Sequence, residues 1–133
     1  MYEFNGWFVL GNSIDADQWS EIPADKMERL RGLLAAQDWT PRIELLTFGN
    51  QSQLRLTGAT LANRGEADDI ENVLKFVVHE MPFSYGILYE TSNGDDLPRP
   101  PGPLAFRVHV MAAGKLIVRM DPFLSPANPV IED

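Results

Sequence analysis

Two arginines and a histidine near the C-terminus are the side chains best placed to form a charged site. Residues 104–111 and 115–120 predict a hairpin with a three-residue loop, because that register aligns the apolar side chains of the two strands. The aligned pairs are Val110 with Leu116, Val108 with Val118 and Phe106 with Met120. The same register places Arg107 opposite Arg119, with His109 beside them. Because like charges directly across a ladder destabilise a sheet, we expect a carboxylate nearby.

Two sources of that carboxylate are open. It is internal, supplied by Glu44, Glu90 or the acids at the C-terminus, or it belongs to a ligand. We favour an internal pair, because structural ion pairs are commoner than binding sites. The alternative function is a small hydrolase or lyase, in which Glu44 and Glu90 line a pocket in the sheet near the two arginines.

Other catalytic chemistry has no recognisable motif in this chain. The absence of cysteine excludes disulfides, thiolate nucleophiles and cysteine-dependent zinc sites. The sequence contains no GxSxG elbow, no HExxH motif and no glycine-rich phosphate loop. His79 and His109 fall on the polar sides of a predicted helix and strand, so we expect ordinary surface or second-layer residues. The sequence therefore predicts no catalytic residue, no metal and no cofactor.

The charge balance limits the kind of partner. Eleven lysines and arginines stand against 19 aspartates and glutamates, which gives a formal net charge of −8. Such a surface repels phosphate backbones, so we expect no direct binding to nucleic acid. It attracts a basic protein, although solubility alone also explains an acidic composition.

The elements that must position these residues follow from hydrophobic periodicity and turn residues. In chain order the pattern predicts a strand at 2–10, a helix at 23–37, a hairpin of 42–48 and 53–59, a helix at 66–81, a strand at 84–91 and the final hairpin. In the first hairpin, pairing Gly49 with Ser52 brings Thr47 opposite Leu54 and Leu45 opposite Leu56, with Glu44 diagonal to Arg55.

The order β-α-β-β-α-β-β-β predicts an α+β fold. We expect a single-layer, mainly antiparallel sheet of about six strands with two helices packed on one face, in one domain spanning residues 1–133. No apolar segment approaches the roughly 20 residues of a membrane-spanning helix, and the N-terminus lacks signal-peptide features. A cytoplasmic location is therefore expected.

Three segments carry a resemblance to a known family. They are YEFNGWFVL at 2–10, SYGILYETSNGDD at 84–96 and DPFLSPANPVIED at 121–133. Together they resemble the immunity protein 7 family of bacterial polymorphic toxin and contact-dependent inhibition systems, over nearly the whole chain. The family also has a glycine followed by Asn-His-Arg near its middle. This chain offers Gly58, Asn63 and Arg64 but lacks the histidine, so no role of that histidine is carried over.

The resemblance implies a cognate antidote, encoded beside a toxin, that binds the C-terminal toxic domain in the cytoplasm. Such a protein acts by covering an active site or blocking substrate entry and needs no catalytic residue of its own. We expect a monomer or a one-to-one heterodimer with the toxin. The alternative of an adaptor subunit in a larger complex predicts a broad exposed apolar patch and self-association.

A physical picture of toxin binding suggests which residues make contact. A toxin that attacks nucleic acid carries a basic cleft, and an acidic inhibitor imitates the phosphate backbone. The candidate partner-binding residues are Glu66, Asp68, Asp69 and Glu71 on the second helix, Tyr85 and Tyr89 on the following strand, and Asp95 and Asp96 in the next loop. Each group also has a purely structural explanation, namely the helix dipole, core packing and turn formation.

Overall fold

The computed structural model describes residues 2–12, 22–36, 42–49, 51–60, 65–92 and 106–121. In chain order their elements are β1 (Tyr2–Leu10), α1 (Ala24–Ala35), β2 (Arg42–Phe48), β3 (Gln51–Thr60), α2 (Glu66–Glu80), β4 (Tyr85–Ser92), β5 (Phe106–Ala112) and β6 (Lys115–Met120). The six strands form one antiparallel sheet in the order β2-β3-β1-β4-β5-β6. The predicted α+β fold is confirmed.

The alternation of buried and exposed side chains along the central strand β1 distinguishes the two faces of the sheet. It is hydrogen-bonded to β3 on one side and to β4 on the other. Tyr2, Phe4 and Phe8 are buried, whereas Trp7 between them is 43% exposed. Because side chains alternate along a strand, the buried set marks the face under the helices, and Trp7 belongs to the opposite face. We call that opposite face the outer face.

The core lies between the sheet and the two helices. Helix α2 contributes a buried stripe that includes Ile70, Leu74 and Val77. These residues have the helical spacing that the sequence predicts. Met27 and Leu30 of α1 join the same cluster. Full burial of such a side chain contributes about 1.5–3 kcal/mol relative to exposure, so packing against the sheet holds both helices in place.

Polar contacts fasten α1 to the end of α2. Lys26 Nζ donates to Asn12 Oδ1 at 2.9 Å and to the Glu80 carbonyl oxygen at 2.7 Å. Arg29 bonds both carboxylate oxygens of Glu80, at 3.1 and 3.3 Å, and its guanidinium lies 5.8 Å from the centre of the Phe76 ring. The lysine satisfies a carbonyl at the helix C-terminus, where positive charge is favoured.

The predicted register of the last hairpin is wrong. The loop has two residues, Ala113 and Gly114, with φ angles of 51° and 75°. Positive φ at both loop residues is typical of a type I′ turn, whose twist matches that of the strands. Val110 therefore lies opposite Ile117 and Arg107 opposite Met120, so Arg107 and Arg119 do not face each other.

The physical reason is the position of β6 at the edge of the sheet. Large apolar side chains are exposed on both of its faces, including Ile117 and Val118. The alignment of apolar pairs fixes a register strongly only where one face is buried, and of the apolar side chains of β6 only Leu116 packs, partly buried, against the core. The geometry of the turn therefore sets the register of β5 against β6.

The predicted register of the first hairpin is wrong by two residues. Thr47 lies opposite Ser52 and Leu45 opposite Leu54, and the last pair of the ladder is Phe48 with Gln51. An even shift keeps each side chain on its predicted face. It brings Glu44 directly opposite Arg55, and not diagonal to it.

Candidate functional site

A buried polar cluster joins three strands on the face under the helices. Tyr2 is the first residue of β1, Glu90 lies near the end of β4, and Arg107 and His109 belong to β5. The β4–β5 register sets Arg107 directly opposite Glu90, and the alternation of a strand places His109 on the same face two residues later. We call these four residues the Glu90 cluster.

The Glu90 carboxylate is the centre of this cluster. The Tyr2 hydroxyl donates to its Oε2 at 2.5 Å, and Arg107 Nε donates to its Oε1 at 2.6 Å. His109 Nε2 is also bonded to Oε1. Hydrogen bonds to an ionised acceptor are roughly twice as strong as those between neutral groups. The carboxylate is therefore held from three directions by residues on neighbouring strands.

The surroundings favour an ionised Glu90 and a neutral Tyr2. Burial alone raises the pKa of Glu90, but hydrogen bonds and positive charge from His109 and Arg107 outweigh it and lower the pKa to about 2. Burial, together with the adjacent Glu90 carboxylate, raises the pKa of the Tyr2 phenol far above its usual range. The phenol therefore remains a hydrogen-bond donor at neutral pH.

The cluster is almost completely shielded from solvent. Tyr2 is 0% exposed, Glu90 and His109 are 1% exposed, and Arg107 is 6% exposed. His109 Nδ1 is buried and has no hydrogen-bond partner among the residues described. A substrate needs an open path to a reacting group, so this arrangement is suited to holding β1, β4 and β5 together.

The cluster confirms the expected internal carboxylate. It does not include all of the residues that the hydrolase or lyase alternative would bring together. The internal carboxylate beside Arg107 and His109 is Glu90, one of the expected candidates. Glu44 and Arg119 lie on the outer face, opposite Arg55 and Val108 respectively, so they do not share a site with Glu90. Tyr2 was not expected in the cluster, because an aromatic residue in an apolar strand has the same pattern whether or not its hydroxyl binds a carboxylate.

The four acids of α2 lie around its N-terminus, on the helix side of the sheet. Asp68 is exposed, while Glu66, Asp69 and Glu71 are partly buried. The residue before the helix is Gly65, at φ 108°, which offers no side chain to cap it. Negative charge is favoured there by the helix dipole, and Glu71 also pairs with Lys75 at 3.6 Å.

The two candidate tyrosines lie on the other side of the sheet. Tyr85 is 43% exposed on the outer face and packs edge-on against Trp7, with ring centroids 6.3 Å apart. Tyr89 is half-buried two alternations further along β4. The structure therefore brings the tyrosines onto one face and the helix acids onto the other. Asp95 and Asp96 lie outside the described residues.

The outer face also contains a pocket. Its volume is about 400 Å³, and its walls include Tyr89, Phe106 and Ala59, with Glu3 among the lining residues. Neither described helix covers this face, on which Trp7 and Val110 are also exposed. Val9 and Val108 are buried on the same face, so the exposed apolar surface is interrupted.

The described ranges contain neither a metal-binding cluster nor a membrane-spanning helix. No group of three or more His, Asp or Glu side chains there is arranged to hold a metal ion. Neither α1 nor α2 is long and apolar enough to cross a membrane.

The fold and the closed cluster define a small α+β protein in which a buried ion-pair cluster joins strands of the sheet and neither described helix covers the outer face. The chain belongs to the immunity protein 7 family, because the family model described as Immunity protein 7 matches residues 1–133, the whole chain. No curated protein matches the chain, and no solved structure does.

Proposed function

We propose that this protein binds the C-terminal toxin domain encoded beside it and neutralises that domain in the cytoplasm by covering its active site. The family match over the whole chain is the observation that carries this proposal. An inhibitor of this kind needs a stable fold and a contact surface, and it needs no reacting group.

The charge of the chain supports a basic, nuclease-like toxin domain as the partner. The net charge is −8, and the exposed carboxylate of Asp68 stands beside the partly buried acids at the N-terminus of α2. An acidic surface accelerates encounter with a basic protein through long-range attraction, which acts over about 8–10 Å at physiological salt. The α2 acids, Tyr85, Tyr89, Asp95 and Asp96 remain the proposed contact residues.

The closed Glu90 cluster supports binding over the hydrolase or lyase alternative. Glu90 and Arg107 are both buried, and their charges satisfy each other. The adaptor alternative has one observation in its favour, namely the exposed apolar side chains of the outer face such as Trp7 and Ile117. Self-association on purification would favour the adaptor, whereas a monomer that pairs one-to-one with the toxin domain favours the antidote.

Co-expression tests the proposed function. The toxin domain encoded next to this chain is expressed in cells with the chain, without it, or with an immunity protein from an unrelated toxin pair as the control. We expect growth only with the cognate chain, and co-purification of a one-to-one complex. Growth arrest with the cognate chain present, together with no complex, would contradict the proposal.

A further inference from the structure

The outer-face pocket is built by two adjacent cross-strand rows. In the first row Asn5 lies between Thr57 and Tyr89, and in the second Glu3 lies between Ala59 and Thr91, with Phe106 paired to Thr91. Residues directly opposite each other in an antiparallel pair project from the same face, so these side chains surround one space. That space has a volume of about 400 Å³, enough to admit a long side chain of a partner protein.

The lining of the pocket combines apolar walls with one carboxylate. Tyr89 and Phe106 are both partly buried and present aromatic surface, while Glu3 is exposed. No described residue forms an ion pair or a hydrogen bond with the Glu3 carboxylate. Aromatic and aliphatic walls suit the methylene stem and planar guanidinium of arginine, and the carboxylate supplies its counter-charge.

One acid of α2 lies near the strand end that carries Glu3. Glu3 follows Tyr2, and the Glu66 carboxylate of α2 is near enough to Tyr2 to contribute to raising the pKa of its phenol. The C-terminal end of β3 and the N-terminus of α2 are therefore close to the strand end that carries Glu3. On the outer face itself, Glu3 is the carboxylate that lines the pocket, whereas Arg42 and Arg119 lie at the two ends of the cross-strand row that contains Thr57 and Tyr89.

We propose that this pocket receives an arginine side chain of the cognate toxin domain and is the anchor of the interface. The inference rests on the proposed function and adds to it the position of the anchor and its chemical class. Buried arginine and aromatic contacts at the centre of an interface supply most of its binding energy. The Glu3 carboxylate pairs with the guanidinium, while Tyr89 and Phe106 enclose its stem.

Two substitutions at the pocket test the proposal with the purified toxin domain encoded beside this chain. Ala59→Trp fills the space from an exposed position on β3, and Glu3→Lys reverses the counter-charge. The matched controls are Ala35→Trp and Glu28→Lys, both at exposed positions of α1. We expect each pocket variant to weaken binding by about tenfold or more, and each control to stay within about threefold of the native chain. Circular dichroism establishes whether each variant is folded. If Glu3→Lys is not folded, Glu3→Gln takes its place.

The toxin side completes the test. Each arginine of the toxin domain is changed to glutamine in turn, and we expect one of these variants to lose about as much affinity as Ala59→Trp, with no further loss when the two are combined. If the native chain binds but the pocket variants bind equally well, the anchor is wrong while the proposed function stands. If Ala59→Trp weakens binding but no arginine variant does, the arginine assignment is overturned. Failure of the native chain to bind would instead contradict the proposed function.

Discussion

Arg107 lies directly opposite Glu90 in the β4–β5 ladder, and its Nε is 2.6 Å from the glutamate Oε1 in a buried site. A slip of one residue would move Arg107 and His109 to the outer face and leave the Glu90 carboxylate buried without two of its partners. Because an unpaired buried charge is costly, this pair fixes the register of two strands.

Removing the charge of Glu90 should destabilise the protein strongly. Glu90→Gln keeps the side-chain volume but leaves the buried Arg107 without its counter-ion. Breaking a buried ion pair in this way costs about 3–5 kcal/mol, which urea unfolding of the native and variant chains measures. Glu44→Gln is the control, because Glu44 is exposed opposite Arg55 and its loss should cost less than about 1 kcal/mol. Equal losses in the two variants would contradict a structural role for the cluster.

Acid should remove the contribution of Glu90 to stability. Its pKa falls from the ordinary value of 4.5 to about 2 on folding, so its contribution is complete above pH 4.5 and is lost as the pH falls towards about 2. The shift corresponds to a contribution on the order of 3 kcal/mol. We expect the difference in unfolding free energy between the native chain and Glu90→Gln to narrow over this range. A difference that stays constant would show that Glu90 does not titrate as described.

Tyr2 should have the opposite pH dependence. Folding raises the pKa of its phenol above the ordinary value of 10.0, so its contribution is complete below pH 10.0 and is lost as the pH rises beyond it. Tyr2→Phe removes the hydrogen bond to the carboxylate and should cost about 1.5–3 kcal/mol at neutral pH. Unfolding measured on both sides of pH 10.0 should show the two proteins converging in alkali. Equal stability at neutral pH would contradict the bond between Tyr2 and Glu90.

Two glycine substitutions should change stability in opposite directions. A Cβ at Gly86 would lie 2.0 Å from the Trp7 carbonyl oxygen and 2.6 Å from Phe8 Cα, so β1 would have to move. We expect Gly86→Ala to cost about 1–3 kcal/mol in urea unfolding. A Cβ at Gly32, within α1, meets no atom of the described residues within 4 Å apart from the backbone of its own helix, and Gly32→Ala should stabilise the protein by about 0.5–1 kcal/mol. Destabilisation by both changes would contradict the described environment of Gly32.

The acids of α2 should govern how fast the toxin domain binds. The double variant Asp68→Lys and Asp69→Lys reverses charge near the helix N-terminus, and we expect a slower association rate with a weaker dependence on salt. Ala59→Trp in the pocket should instead act mainly on dissociation, because it displaces an anchor. Stopped-flow binding at two salt concentrations separates the rates, and Glu28→Lys on α1 is the control. An unchanged association rate in the double variant would exclude steering by α2.

Sequence patterns were sufficient to predict the order of the helices and strands and their arrangement as a sheet with helices on one face. The apolar stripe of Ile70, Leu74 and Val77 has the helical period, and the strands alternate where one face is buried. The need for a carboxylate beside Arg107 and His109 was also evident from sequence, since positive charge on adjacent strands requires a counter-charge. That reasoning leaves Glu90 as one candidate beside Glu44 and the C-terminal acids, and it rests on a register of β5 and β6 that is wrong.

The strand register of the hairpins, and which side chains meet on one face of the sheet, were not predictable from the same patterns. The β5–β6 loop depends on the positive φ angles of Ala113 and Gly114, and alanine carries no turn signal as strong as Asn-Gly. The outer-face pocket depends on which side chains of four strands meet across the ladders, so neither Glu3 nor Phe106 stood out along the chain. The residue type alone marks Tyr89 as a candidate contact residue, whereas its position in the pocket depends on the strand pairing of the sheet.

Inhibition of the toxin domain by the purified chain tests the central proposal most directly. The chain is titrated into an assay of the toxin domain's own activity, with Glu3→Lys and an unrelated immunity protein run in parallel. We expect activity to fall in proportion to added chain and to vanish at one equivalent, as for tight active-site occlusion. Full toxin activity in the presence of excess folded chain would contradict the assignment of this protein as the antidote to that toxin.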